Sequence, residues 1–271
     1  MYDALSEAEW EKVDRVWDLL EETDIDQARS ETNVLLGSRP RHPDLLVLDA
    51  AVAIEEGDAD RALDALRGAE RSADPALFFQ LRALARFHRV DLEAARADAD
   101  KALAVRPQLA EAHALLSRVH EMLGQGEDAA RHAVAANDID PETFPLPLDV
   151  DDETFDQLVE QSIAELPEPV REHLQHIPVM VEPLPRRALL TAEKPPLAPD
   201  LLGLFVGQHL LEQSHADLPS APGAIYLFRR NLLRACRDRD ELSREIRITV
   251  QHEVGHYLGL DEDDLERWGL A

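Results

Sequence analysis

Two histidines four residues apart, with a glutamate directly after the first, stand near the end of this 271-residue chain. They are His252, Glu253 and His256 in the run ITVQHEVGHYLGLDEDDLERWGLA. On a helix, residues i and i+4 share a face. Two imidazoles so placed can hold one metal ion at about 2.0–2.1 Å, and zinc suits such nitrogen donors. Glu253 then reaches a water at that ion without ligating it, and can serve as general base. Zinc lowers the pKa of such a water toward about 7 and polarises a carbonyl. Gly259 permits the chain to turn back, so an acidic residue just beyond it can complete the ligand set. The spacing His-Glu-x-x-His-x-x-Gly-x-x-Glu puts Glu262 ten residues after His252, with Asp263 as its rival. Asp261 is better used to cap a last short helix through Trp268. Cys236 is the lone cysteine, so no internal disulfide and no cysteine metal knuckle can form. It reads as inert packing, with no dyad around it.

The helix that carries these residues is expected from about Asp240 to Leu258. Asp238 and Glu241 make a capping box at its start, and Gly259 ends it in a left-handed turn. Upstream, a helix should begin at about Asp152, with Phe155, Leu158, Val159 and Ile163 on one face. Pro167 and Pro169 interrupt it. IPVMVE (177–182), LLGLFVG (201–207) and GAIYLFR (223–229) read as strands. Residues 183–200 hold five prolines and read as an extended loop. Ala224–Arg229 is the expected edge strand, against which an extended substrate would lie. Tyr226, Tyr257, His209 and His215 are candidate donors for transition-state charge, with packing or surface roles favoured for each. Arg229, Arg230, Arg234, Arg237, Arg239, Arg244 and Arg247 form a basic run, expected to solvate a helix face and to pair with the acidic stretch Asp261–Glu266.

The first half has a period. Pro40, Pro75, Pro107 and Pro141 recur at spacings of 35, 32 and 34, and Ala28, Ala62, Ala95 and Ala129 at 34, 33 and 34. Turn positions lie just upstream of each alanine, at Thr23-Asp24, Gly57-Asp58, Val90-Asp91 and Gly124-Gln125. Alanine lets two helices pack closely, and proline is expected to end the second helix of each pair. The pattern predicts stacked helical hairpins. Residues 9–141 resemble the tetratricopeptide repeat family in four units. The first unit lacks the turn glycine and carries Trp10 and Trp17 in unusual registers, as a terminal cap would. The resemblance implies a groove for a partner or substrate protein. Histidines 88, 113, 120 and 132 lie on these helices without metal-ligand spacing and read as surface or inter-helix residues.

Charge narrows the function classes. The chain carries 28 Lys+Arg against 55 Asp+Glu, net -27. Residues 1–141 hold 16 basic and 30 acidic residues, and residues 142–271 hold 12 and 25, so neither half is an acidic tail. Such a surface repels phosphate, which argues against nucleic-acid and anionic-membrane partners. No apolar run approaches a membrane span, and the N-terminal run is acidic and amphipathic rather than a secretory signal. A cytoplasmic setting is expected.

The second half also carries a wider resemblance. The succession FDQLVEQSIAELPEPV, IPVMVEPLP, DLLGLFVG, PGAIYLFRRNLL and HEVGHYLGLDEDDLERWGL resembles the minimal zincin-like metallopeptidase family of bacteria over residues 152–270. The resemblance implies a small α+β fold with a zinc-binding active-site helix. His252 and His256 match the ligand histidines and Glu253 the catalytic glutamate. Glu262 falls where family members commonly have aspartate. A metzincin is excluded by the acidic third position and by the absence of any methionine after Met180.

The expected organisation is a tetratricopeptide-like α-helical array over 1–141, a linker over 142–150, and a small α+β zincin-like domain over 151–271. The expected function is peptide-bond hydrolysis by a zinc metallopeptidase, with the array binding a substrate or partner protein. A non-catalytic interaction scaffold is the alternative.

Overall fold

The computed structural model describes residues 4–175, 177–192, 194–207 and 223–260. The chain divides into two compact units. One is Met1–Phe144 with Leu190–Pro199, and the other is Pro145–Leu189 with Asp200–Ala271.

The first unit is a tetratricopeptide-like array of four helical hairpins: α1 (Glu7–Glu21) with α2 (Ile25–Ser38), α3 (Pro43–Glu55) with α4 (Ala59–Leu66), α5 (Pro75–His88) with α6 (Leu92–Val105), and α7 (Ala110–Met122) with α8 (Gly126–Ile139). The periodic alanines Ala28, Ala62, Ala95 and Ala129 are all buried. The turn before each of them holds one residue at positive φ: Thr23, Gly57, Val90 and Gly124. Glycine reaches that conformation without penalty, while threonine and valine pay for a Cβ there. Asp24 and Asp58 cap the following helices by accepting from Gln27 N–H and Arg61 N–H. One expectation fails. Pro75 does not end α4, which stops at Leu66, but opens α5 at its first turn, where a missing N–H costs nothing.

Asp98 and a group of histidines centre two of the array's polar clusters. Asp98 on α6 is fully buried, and its carboxylate accepts from Arg82 Nε (2.6 Å) and Nη2 (2.8 Å), from Arg86 Nη1 (2.5 Å) and from Lys101 Nζ (2.9 Å). Burial opposes its ionisation, but the Arg82 and Lys101 hydrogen bonds and the Arg82 and Arg86 charges outweigh it and hold the carboxyl below its usual range. On the last hairpin, His113, His120 and His132 gather. Burial first, then the charges of His113 and His120, pushes His132 down to about 4, so its ring is neutral at pH 7.

The second unit is α+β. α9 (Asp152–Ala164) and α10 (Glu168–Leu174) precede β1 (Val179–Glu182), and a short α11 (Arg187–Leu190) interrupts the proline-rich stretch. Then come β2 (Gly203–Val206), β3 (Ala224–Phe228), α12 (Arg229–Ala235) and α13 (Arg239–Leu258). The sheet order is β1-β3-β2, with β1 parallel and β2 antiparallel to β3. β3 is therefore the central strand, not the expected edge. Ile225 and Leu227 explain why: both are fully buried, as a strand paired on both sides demands. Among the described residues, the edge antiparallel to β3 is β2.

The helix α13 docks on this sheet through Leu242, Ile246, Val250 and Val254, a row at four-residue spacing. Phe155 and Val159 from α9 join the same core. Burying each such aliphatic side chain contributes about 1.5–3 kcal/mol. Asp238 caps α13 by accepting from Glu241 N–H at 2.8 Å, and the Glu241 carboxylate reaches back to Arg237 N–H at 2.6 Å. Gly259 closes the helix at φ 85°. Among the described residues no helix is long and apolar enough to cross a membrane.

Candidate metal centre

The row that anchors α13 decides where its chemistry faces. Leu242 to Val254 fill the core, which turns Thr249 and Glu253 toward β2 and leaves His252 and His256 half-buried on the adjoining face. The two histidines come together as their spacing predicts. Their Nε2 atoms are 3.0 Å apart and their rings meet edge-on, centroids 4.6 Å apart. The carbonyl of Leu260 lies 3.4 Å from His256 Nδ1. A carbonyl only accepts, so Nδ1 carries the proton and Nε2 keeps its lone pair for a ligand. That second-nitrogen contact is how metal-binding histidines are oriented.

Glu253 is buried, and its Oε2 accepts the backbone N–H of Phe205 at 2.6 Å. The strand pairing explains the donor. Phe228 N–H donates to the Leu202 carbonyl at 2.8 Å, so in an antiparallel ladder the N–H groups of Gly203 and Phe205 face away from β3. Gly203 makes the approach possible. A Cβ there would overlap Thr249 Cγ2, and would lie 3.1 Å from the Tyr226 carbonyl oxygen and 3.5 Å from Glu253 Cγ. Sequence reasoning missed both the Phe205 amide and the Gly203 seat. The available signal was a glycine inside a short apolar strand, which marks close backbone approach.

Glu262, with its rival Asp263 and the predicted cap Asp261, lies outside the described residues, as do His209 and His215. Among the described residues no three His, Cys, Asp or Glu side chains gather into a metal cage. Tyr257 is buried, its ring edge-on to Phe205 (5.6 Å) and to His173 (6.2 Å), so it packs rather than presents a donor. Tyr226 sits mid-strand on β3, paired with Leu204 and Met180. The basic run divides: Arg229 pairs with Asp152 and Arg247 with Glu165. Its expected acidic partners at 261–266 are outside the described residues. Cys236 is buried, and burial aided by Glu245, Glu241 and Asp238 pushes its thiol up to about 12, which suits packing and not nucleophilic attack.

Against known proteins, the zincin-like metallopeptidase family matches residues 174–270. No curated protein matches the chain. Among solved structures, one described as MamA RS-1 ArsTM double mutant is 20% identical, covering 51% of this chain and 78% of its own, at a TM-score of 0.41. A crystal structure of MamA is 16% identical, covering 64% and 89%, at 0.40. One of PilW, described as a widely conserved type IV pilus biogenesis factor, is 15% identical, covering 57% and 83%, at 0.32.

Proposed function

We propose that the chain is a zinc-dependent peptidase whose active-site helix is α13, with His252, His256 and Glu262 as ligands and Glu253 as general base. The observation that carries this reading is the pair of Nε2 atoms 3.0 Å apart beside a buried carboxylate. The donor set fits the ion: two imidazole nitrogens on one helix face, one of them with its other nitrogen held by the Leu260 carbonyl. Zinc bound there would polarise a substrate carbonyl and make a water nucleophilic at neutral pH.

The remaining work falls to the chain's own residues. The Phe205 N–H fixes the orientation of the Glu253 carboxylate. Glu253 takes a proton from the attacking water as its oxygen bonds to the carbonyl carbon. It returns that proton to the amide nitrogen as the C–N bond breaks. Val206, exposed at the end of β2, supports an extended substrate lying against that strand beyond the Glu253 seat. The net charge of -27 favours a neutral or basic peptide. The tetratricopeptide-like array serves this reading as a module that recruits a substrate or partner protein, and the soluble cytoplasm is the setting we propose. The domain partition we propose for these roles is 1–141 and 151–271, with 142–150 between them.

The test is Glu253→Gln. The amide keeps an acceptor for Phe205 N–H but cannot take a proton. The variant should bind zinc as the wild type does and lose hydrolysis of a peptide library by at least about 100-fold. Equal behaviour of the two proteins would instead favour a scaffold role.

A further inference from the structure

The array holds a second imidazole pair with the same donor separation as the first. His113 on α7 and His132 on α8 place their Nδ1 atoms 2.9 Å apart. The other nitrogen of His113, Nε2, lies 3.1 Å from the carbonyl oxygen of Pro107. That carbonyl can only accept, so His113 Nε2 carries the proton and Nδ1 turns a lone pair toward His132. A ligating histidine is oriented in this way, with its second nitrogen tied to a backbone carbonyl. His120 supplies the back wall. Its ring lies 6° from parallel with that of His132, centroids 5.4 Å apart, and its Nδ1 is 2.6 Å from the Gln125 amide oxygen. His132 is thereby held in one plane. The exposed Asp100 on α6 acts on the His132 ring through its negative charge.

We propose that His113 and His132 bind a divalent transition-metal ion, with zinc as the type case, through their two Nδ1 atoms. Neutral imidazoles suit such ions, and two bonds of about 2.0–2.1 Å close on donors this far apart at an angle near a right angle. No third His, Cys, Asp or Glu among the described residues completes a cage. The protein supplies two ligands and solvent the others, which makes an exchangeable site rather than a structural one. The proton balance is simple. In the metal-free pair, His132 Nδ1 carries the hydrogen shared with His113. The ion takes its place, the proton moves to His132 Nε2, and no net proton is released at neutral pH. This site is independent of the one on α13.

The experiment uses the full chain carrying His252→Asn and His256→Asn, which removes the α13 pair, and measures zinc uptake by equilibrium dialysis at micromolar to millimolar zinc. One zinc per chain should still bind. Adding His113→Asn and His132→Asn should weaken that binding by about tenfold or more. His132→Asn alone gives the same reading if the fourfold variant does not fold, as circular dichroism would report. In the folded chain, the imidazole 15N signals of His132 should show the proton leaving Nδ1 for Nε2 as zinc is added. The proposal is overturned if the chain lacking His252 and His256 takes up no zinc at millimolar concentration, or if uptake survives the loss of His113 and His132.

Discussion

Two buried carboxylates, Asp98 in the array and Glu253 in the α+β unit, are treated in opposite ways. Asp98, in the array, is fully enclosed by Arg82, Arg86 and Lys101. Glu253, in the α+β unit, is also buried, but it is met by the backbone amide of an edge strand. A carboxylate locked among three cations is neutralised and cannot exchange protons cheaply. One seated on a peptide N–H is held in a fixed orientation, and the general-base role proposed for it rests on that seat. The two regions also differ in how they build their cores. The array packs alanines close between adjacent helices, using contacts near in sequence. The α+β unit gathers Phe155, Ile225, Leu242 and Val254 from far apart in the chain.

The largest expected effect lies in the array. Asp98→Asn leaves Arg82, Arg86 and Lys101 without their shared counter-charge. It should cost toward the lower end of about 3–5 kcal/mol, since both guanidinium groups reach solvent, as read by denaturant unfolding. Peptide hydrolysis should suffer only as far as the array unfolds. If Asp98→Asn proves neutral, the contrast between a carboxylate locked among cations and one seated on a backbone amide collapses.

Next is Gly203→Ala. The new methyl overlaps Thr249 Cγ2, and relieving that overlap should cost about 1–3 kcal/mol while drawing β2 away from Glu253. Adding Thr249→Ser removes the methyl in the way. The double variant should recover most of both the stability and the turnover, and a purely additive cycle would show that the seat does not position Glu253.

The acid limb separates the same two regions. Asp98 is held below the usual carboxylate range in the folded chain, so the unfolded chain binds the proton first. Its contribution is therefore fully present above about pH 3.8 and is lost as pH falls through the lower folded value. Unfolding followed between about pH 4 and 2 should show a drop in array stability that Asp98→Asn abolishes.

The smallest effect is a gain. Thr23 is exposed and sits at φ 62°, where the equivalent turns of the second and fourth hairpins have glycine. Thr23→Gly should stabilise the array by about 1 kcal/mol, read as a rise in melting temperature. Val90 occupies the same kind of turn but is buried, so Val90→Gly should lose packing and gain little.

Much of this was legible in the residues. The period of Ala28, Ala62, Ala95 and Ala129 marks the packing seam because alanine lets two helices approach closely, and all four are buried. Asp238 and Gly259 bound α13 because helix ends need a side-chain acceptor and a left-handed exit. The meeting of His252 and His256 follows from helical geometry alone. Strand order was not legible. The sequence of β3 records burial on both sides but not which neighbours supply it, so the central strand reads as an edge. Pro75 misleads because proline suits the start of a helix as well as the end of the one before. The seating of Glu253 on Phe205 joins residues 48 apart, and the meeting of His113 with His132 depends on how two helices pack. Neither is encoded in local spacing.

The most direct test is crystallographic: an anomalous difference map at the zinc edge from full-length protein purified without chelators. A peak is expected within about 2.0–2.1 Å of both His252 Nε2 and His256 Nε2, with the Glu253 carboxylate beside it but not bonded to it. No peak at that pair in zinc-replete crystals, or one ligated directly by Glu253, would contradict it.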